Sequence, residues 1–408
     1  MSTLEIILYI ALGIAVGVII FATPGIRRKL RLRARRGPLP TTAAKGRAVG
    51  ISLDYTDGLP ETSDERKRQM FTEGMEHKQR NRYFKAIKSF RHCLALSPTR
   101  GEEVALLILI GNCFVSISEL EEAEGHYKEA ETAAKDADDR EGLSAALGNI
   151  GLIYQTRGGL DKALDYHQQA LEIDREIGNR DGEAAALGNM GIIYMTRGEL
   201  DKALESFEQI LTIHSDMGNR EGEAIDLGNI GFIYRIRGEL EKALDNHQQA
   251  LNIHREIGRK DGEAAALGNI GIIYKTRGEQ DKALDYHQQA LEIDREIGYR
   301  DGEAADLVNI GAIYQDKREL DKALVHQQQA LKIHREVGNR EGEAIALGNI
   351  GVIFEDKGER AKALEHFQQA LKIFEEIGAK LEIEKTKQNI QEIRKRMENS
   401  GNHRSDSV

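Results

Sequence analysis

The chain has 408 residues with 57 Lys and Arg against 67 Asp and Glu, 40% hydrophobic and 30% charged side chains, two cysteines and no Trp. That balance suits a folded, well-solvated helical protein. Cys93 and Cys113, without a CxxC or Cys/His cluster around them, exclude a disulfide-stapled module and a structural zinc protein. Residues 1–66 carry 10 basic and 6 acidic side chains, leaving 47 against 61 in residues 67–408, an acidic body that repels phosphate backbones and excludes general nucleic-acid binding.

The first element is the run Leu4 to Ala22, apolar apart from Glu5. As a helix it is about 28 Å long, close to the hydrocarbon core of a bilayer, so the sequence predicts a transmembrane anchor over 4–22. A cleaved signal peptide is the competing reading, but no basic residue precedes the run and Ile20 and Ala22 make a poor cleavage site. Arg27, Arg28, Lys29, Arg31, Arg33, Arg35 and Arg36 follow at once in a basic juxtamembrane segment, 27–47, which by the positive-inside rule puts the amino end outside and everything after it in the cytoplasm. Gly13 and Gly17 form a GxxxG, a weak signal for two anchors packing together. Residues 48–66 read as a linker.

From there the chain repeats. The segment beginning at Leu147 returns, slightly varied, at Leu187, Leu227, Leu267, Leu307 and Leu347, always forty residues on. Each unit reads as two amphipathic helices: Leu187, Met190, Gly191 and Tyr194 share a face in the first, and Leu200, Ala203, Leu204, Phe207, Ile210 and Leu211 in the second. Gly198 and Gly218 stand where left-handed caps are expected, and Asn179 is placed to cap the next helix. No proline occurs after Pro98, which leaves these helices uninterrupted.

The small residue Gly191, the aromatic Tyr194, the turn residue Gly198 and Ala203 resemble the tetratricopeptide repeat, and Gly74, Ala86, Phe90, Cys93 and Pro98 resemble its proline-bearing form. Eight repeats span 67–383, followed by a capping helix over 384–398 and a disordered tail over 399–408. The forty-residue length is similar to the arrays of kinesin light chains and Pins-type polarity adaptors, although no heptad coiled coil or G-protein-regulatory motif accompanies it. The resemblance implies an all-α fold, a right-handed superhelical solenoid whose first helices line a concave groove for extended peptides.

Asn149, Asn189, Asn229, Asn269, Asn309 and Asn349 hold one phase on the face opposite the packing stripe. An Asn amide donates and accepts, so a row of them can grip a peptide backbone of any sequence. In kinesin-light-chain-like arrays the matching Asn does this; the alternative is a ladder bonding neighbouring helices. Gly148, Gly188, Gly228, Gly268 and Gly348 sit beside them at a cost of ~1 kcal/mol each relative to Ala, which implies close approach of either a ligand backbone or an adjacent helix. Arg235 and Lys275 give the middle of the groove basic character, which favours an acidic peptide there.

Histidines do not form a site in this reading: His167, His247 and His287 share a phase with Phe207, Gln327 and Phe367, so packing accounts for them. No GxSxG, P-loop or HExxH occurs, and the chain reads as non-enzymatic, without cofactor or metal. Two functions remain: a membrane-anchored scaffold that binds proteins or extended peptides in its groove, or a structural protein that oligomerises through its solenoid or anchor.

Overall fold

The computed structural model describes residues 65–96 and 98–405, which contain seventeen α-helices and no strand. The expected anchor 4–22, the basic segment 27–47 and nearly all of the linker 48–66 lie outside the described residues. Among the described residues no helix is long and apolar enough to cross a membrane. The described residues fall into two compact units, divided after Ile236.

The first unit holds α1 (Glu65–Gln79), α2 (Tyr83–Leu94), α3 (Arg100–Ser116), α4 (Leu120–Ala137), α5 (Arg140–Thr156), α6 (Leu160–Ile177), α7 (Arg180–Thr196), α8 (Leu200–Asp216) and α9 (Arg220–Ile236). Consecutive helices pack on one another as a stack of hairpins. The second unit holds α10 (Leu240–Glu256), α11 (Lys260–Thr276), α12 (Gln280–Ile297), α13 (Arg300–Asp316), α14 (Leu320–Val337), α15 (Arg340–Asp356), α16 (Arg360–Ile377) and α17 (Lys380–Ser405), stacked in the same way. Helix α1 begins two residues inside the segment read as linker. Helix α17 begins before residue 384 and continues beyond 398, through residues read from sequence as a disordered tail.

Local chemistry explains the hairpins. Gly198 takes φ +73°, and the Glu199 N–H donates back to the Tyr194 carbonyl at 2.9 Å, closing α7 and turning the chain into α8. The same turn occurs with Arg318 at φ +62°, where a side chain is forced into the left-handed region. At the other end, the Asn339 side chain accepts the Gly342 N–H at 2.8 Å and caps α15. Thr99 and Glu102 form a full capping box on α3.

Within a hairpin the small residue of the first helix lies under a ring of the second. A Cβ on Gly191 would stand 3.0 Å from the Phe207 ring, and one on Gly111 2.4 Å from Tyr127. Phe207 and Tyr127 are fully buried, each contributing roughly 1.5–3 kcal/mol of burial. His167 and His287 take the same seat and are also fully buried, so these histidines pack as the phase argument expects. Burial pushes the His167 imidazole down to about 4.

Successive hairpins are joined by a repeated ionic clamp. Glu183 accepts from Arg175 Nε and Arg180 Nη1, both at 2.9 Å, and Glu263 from Arg255 at 2.8 Å and Lys260 at 2.9 Å. Burial opposes ionisation of Glu263, yet these two cations hold its carboxyl below the ordinary range.

Candidate functional site

In the second unit, one face of each first helix is left uncovered. Ala265, Gly268, Asn269 and Ile272 on α11, Ala305, Val308, Asn309 and Ala312 on α13, and Ile345, Gly348, Asn349 and Val352 on α15 are all half-buried. Their neighbours Leu267, Ile270, Leu307, Ile310, Leu347 and Ile350 are buried in the cores of the hairpins. The uncovered lane is apolar along its centre, with an Asn from each helix.

The candidate asparagines divide. Asn269, Asn309 and Asn349 occupy this half-open lane, and Asn229 on α9 is half-buried. Asn149 and Asn189, on α5 and α7, are each only 2% exposed. Ala145, Ala185 and Ile192 around them are buried as well, so as they stand these two amides do not face solvent. Asn349 Nδ2 lies 3.4 Å from Gln327 Oε1 of α14, and Gln327 Nε2 donates to the Val308 carbonyl at 3.0 Å, so at this rung the amide also links helices. The Asn229 Nδ2 atom is buried with no hydrogen-bond partner.

The glycines of this phase, on α9 in the first unit and on α11 and α15 in the second, separate the two explanations for their presence. A Cβ added to Gly228 or Gly348 would meet nothing within 4 Å, and one on Gly268 only the Asp306 Oδ1 atom at 3.5 Å. Adjacent helices therefore do not require glycine at these three positions. Gly111 and Gly191, facing the other way, are the ones that helix packing requires.

The basic character expected in the middle of the groove is reduced by pairing. Lys275 Nζ is 3.5 Å from Asp316. One repeat on, Gln315 Nε2 donates to Asp356 at 2.7 Å, and Arg396 of α17 reaches Glu355 at 2.5 Å. Each partner stands forty-one residues further along, a spacing that carries the interaction from one hairpin to the next. The Arg235 guanidinium lies over the Phe232 ring, 4.9 Å from its centroid. Sequence reasoning placed these side chains on the correct helices but missed their partners.

The sequence profile of the tetratricopeptide repeat matches residues 142–216, 223–296 and 303–376. The chain belongs to the tetratricopeptide repeat family. No curated protein sequence matches it. Among solved structures, this tetratricopeptide repeat chain is similar to the apo form of the quorum sensor NprR from B. thuringiensis, with TM-score 0.60 and 13% identity over 77% of this chain and 89% of that one. It is also similar to aspartyl phosphate phosphatase F from Bacillus subtilis, with TM-score 0.56 and 14% identity over 91% of this chain and 94% of that one. A third is a signal-transduction ATPase with a tetratricopeptide repeat sensor from Pyrococcus horikoshii, with TM-score 0.57 and 18% identity over 81% of this chain and 55% of that one. At these identities the likeness is one of fold. Among the described residues, no group of three or more His, Cys, Asp or Glu side chains is placed to hold a metal ion.

Proposed function

We propose that the protein is a scaffold that binds a partner protein through an extended peptide segment, held in the half-open lane of α11, α13 and α15. The observation that carries this reading is the pair Gly268 and Gly348: mid-helix glycines that no close packing contact requires, on the lane that also carries Asn269, Asn309 and Asn349. A ligand backbone passing close to the helix gives them a reason, and the Asn amides supply donor and acceptor beside it. The use of similar folds as a quorum sensor and as the sensor of a signalling ATPase agrees with a recognition role. In this reading residues 4–22 form a single-pass anchor, and the basic cluster after it keeps the repeats in the cytoplasm.

Selection of random peptides against the full-length protein in detergent tests the proposal. Selected peptides should bind the parent and lose binding to Gly348→Leu, whose side chain projects into open space and blocks the lane without disturbing the core. Equal binding to the two proteins would move the site elsewhere. If no peptide is selected and the mass in detergent shows assembly with or without residues 1–66, the self-assembly reading replaces this one.

A further inference from the structure

The junctions between hairpins carry buried polar side chains whose partners change from repeat to repeat, and the array is its own control. Asp174 on α6 is 1% exposed but satisfied: Ser144 Oγ donates at 2.7 Å and Asn179 Nδ2 at 2.9 Å. Forty residues on, the same position is His214, which pairs with Asp226 of α9 at 2.6 Å. On α12 the position is Asp294, 4% exposed, and both donors are gone, because Ala264 stands where Ser144 does and Tyr299 where Asn179 does. The position of Asp226 is held on α13 by a second carboxylate, Asp306, whose negative charge acts on Asp294 and which no longer has a histidine at the position of His214.

Asp306 instead accepts from His287 Nδ1 of α12 at 2.9 Å, and His287 Nε2 has no partner. One Asp294 oxygen, Oδ1, is buried with no hydrogen-bond partner. The other is so close to the backbone of α13 that a Cβ on Gly302 would sit 2.0 Å from it. The remaining charges facing Asp294 are acidic and already engaged: Glu303 of α13 is clamped by Arg295 and Arg300, and Asp261 of α11 by Arg259. Tyr299, in the turn before α13, offers a phenol that burial and nearby carboxylates push up. Among the described residues, therefore, no cation pairs with the second negative charge at this junction.

We propose that the α12–α13 junction is a proton-dependent joint, closed while one proton is held between Asp294 and Asp306 and loosened when that proton leaves. Two buried carboxylates near enough to repel, with one donor between them, cannot both ionise at little cost, whereas one protonated carboxyl can sit there neutral. Burial pushes Asp306 up as well, but its hydrogen bond to His287 opposes that, whereas Asp294 Oδ1 has no partner, so we assign the proton to Asp294. Burial, reinforced by Asp306, Glu303 and Asp261, pushes Asp294 up to about 8. The folded value lies above the unfolded one near 3.9, so the stabilisation is complete below pH 4 and is lost as pH rises through 8. Groove helices α11 and α13 flank this joint, but the proposal stands whether or not the groove binds a peptide.

Hydrogen exchange on the full chain, corrected for intrinsic rates, tests it. Protection of α12 and α13 relative to α16 and α17, whose junction carries Phe374 at the position of Asp294, is compared at pH 6 and pH 9. A group that shifts from about 4 to about 8 on closing makes opening roughly ten- to a hundredfold more favourable across that interval. The parent should show that loss and Asp294→Asn should not. The double variant Ala264→Ser with Tyr299→Asn restores the donors that Asp174 has and should move the loss to lower pH, which covers the case that Asp294→Asn fails to fold. Constant relative protection in the parent between pH 6 and 9 overturns the proposal, as does a loss that persists unchanged in the folded variants.

Discussion

Replacing glycine by alanine at two kinds of helical position makes opposite predictions from one structure. Gly348 lies mid-way along α15, and an added Cβ meets nothing within 4 Å. Alanine there should stabilise the second unit by about 0.5–1 kcal/mol through helix propensity alone. At the usual ~2–4 °C per kcal/mol for a unit of this size, its thermal transition should rise by roughly 1–4 °C. Gly111 lies mid-way along α3, where the same Cβ would come 2.4 Å from the Tyr127 ring, which is buried and donates to Asn112 at 2.6 Å. Over-packing of that kind costs about 1–3 kcal/mol, so Gly111→Ala should destabilise the first unit despite the same gain in propensity. Circular dichroism melts of parent and both variants read the difference. The reasoning fails if Gly348→Ala lowers stability as Gly111→Ala does, because some contact would then occupy the space described as open.

Other outcomes follow from the same contacts. His167→Phe, which copies Phe207 in the next repeat, should reduce acid sensitivity. The folded imidazole is pushed down to about 4 and the unfolded one titrates near 6.5, so the histidine's share of stability is present above pH 6.5 and lost between 6.5 and 4; urea melts at pH 7 and pH 4.5 check this. Asn339→Ala removes the side chain that caps α15 and should cost about 1 kcal/mol in the same melts. Lys67 and Glu102 form a buried pair at 3.0 Å, so Lys67→Met alone should cost about 3–5 kcal/mol, with recovery in Lys67→Met plus Glu102→Leu. If residues 4–22 anchor the chain, protease added outside intact cells should leave the repeats whole.

The forty-residue period made the hairpins readable because each stacking role falls at a fixed phase: glycine under a ring, glycine in the turn, Asn or Asp at the cap. The candidate lane was readable for the same reason, since Asn269, Asn309 and Asn349 share a phase and a face. What lay beyond the sequence was exposure. Asn149 and Asn309 have the same phase and nearly the same neighbours, yet the first is 2% exposed and the second half-buried. The neutralising pairs were also hidden, because Lys275 with Asp316 depends on how one hairpin leans on the next rather than on either helix alone. A signal for the acidic junction was present but unused: the half-buried His214 meets an aspartate twelve residues on, and 294 with 306 repeats that offset using two aspartates.

The central claim is that the lane of α11, α13 and α15 grips a peptide backbone through its asparagines, and the most direct measurement is the affinity of one selected peptide for Asn269→Ala with Asn309→Ala. Each lost hydrogen bond is worth about 0.5–1.5 kcal/mol net, so the dissociation constant should rise by roughly one to two powers of ten while the melting temperature stays near that of the parent. A double variant that melts much earlier and binds the peptide as tightly as the parent would contradict the account and assign the row of asparagines to holding the helices together.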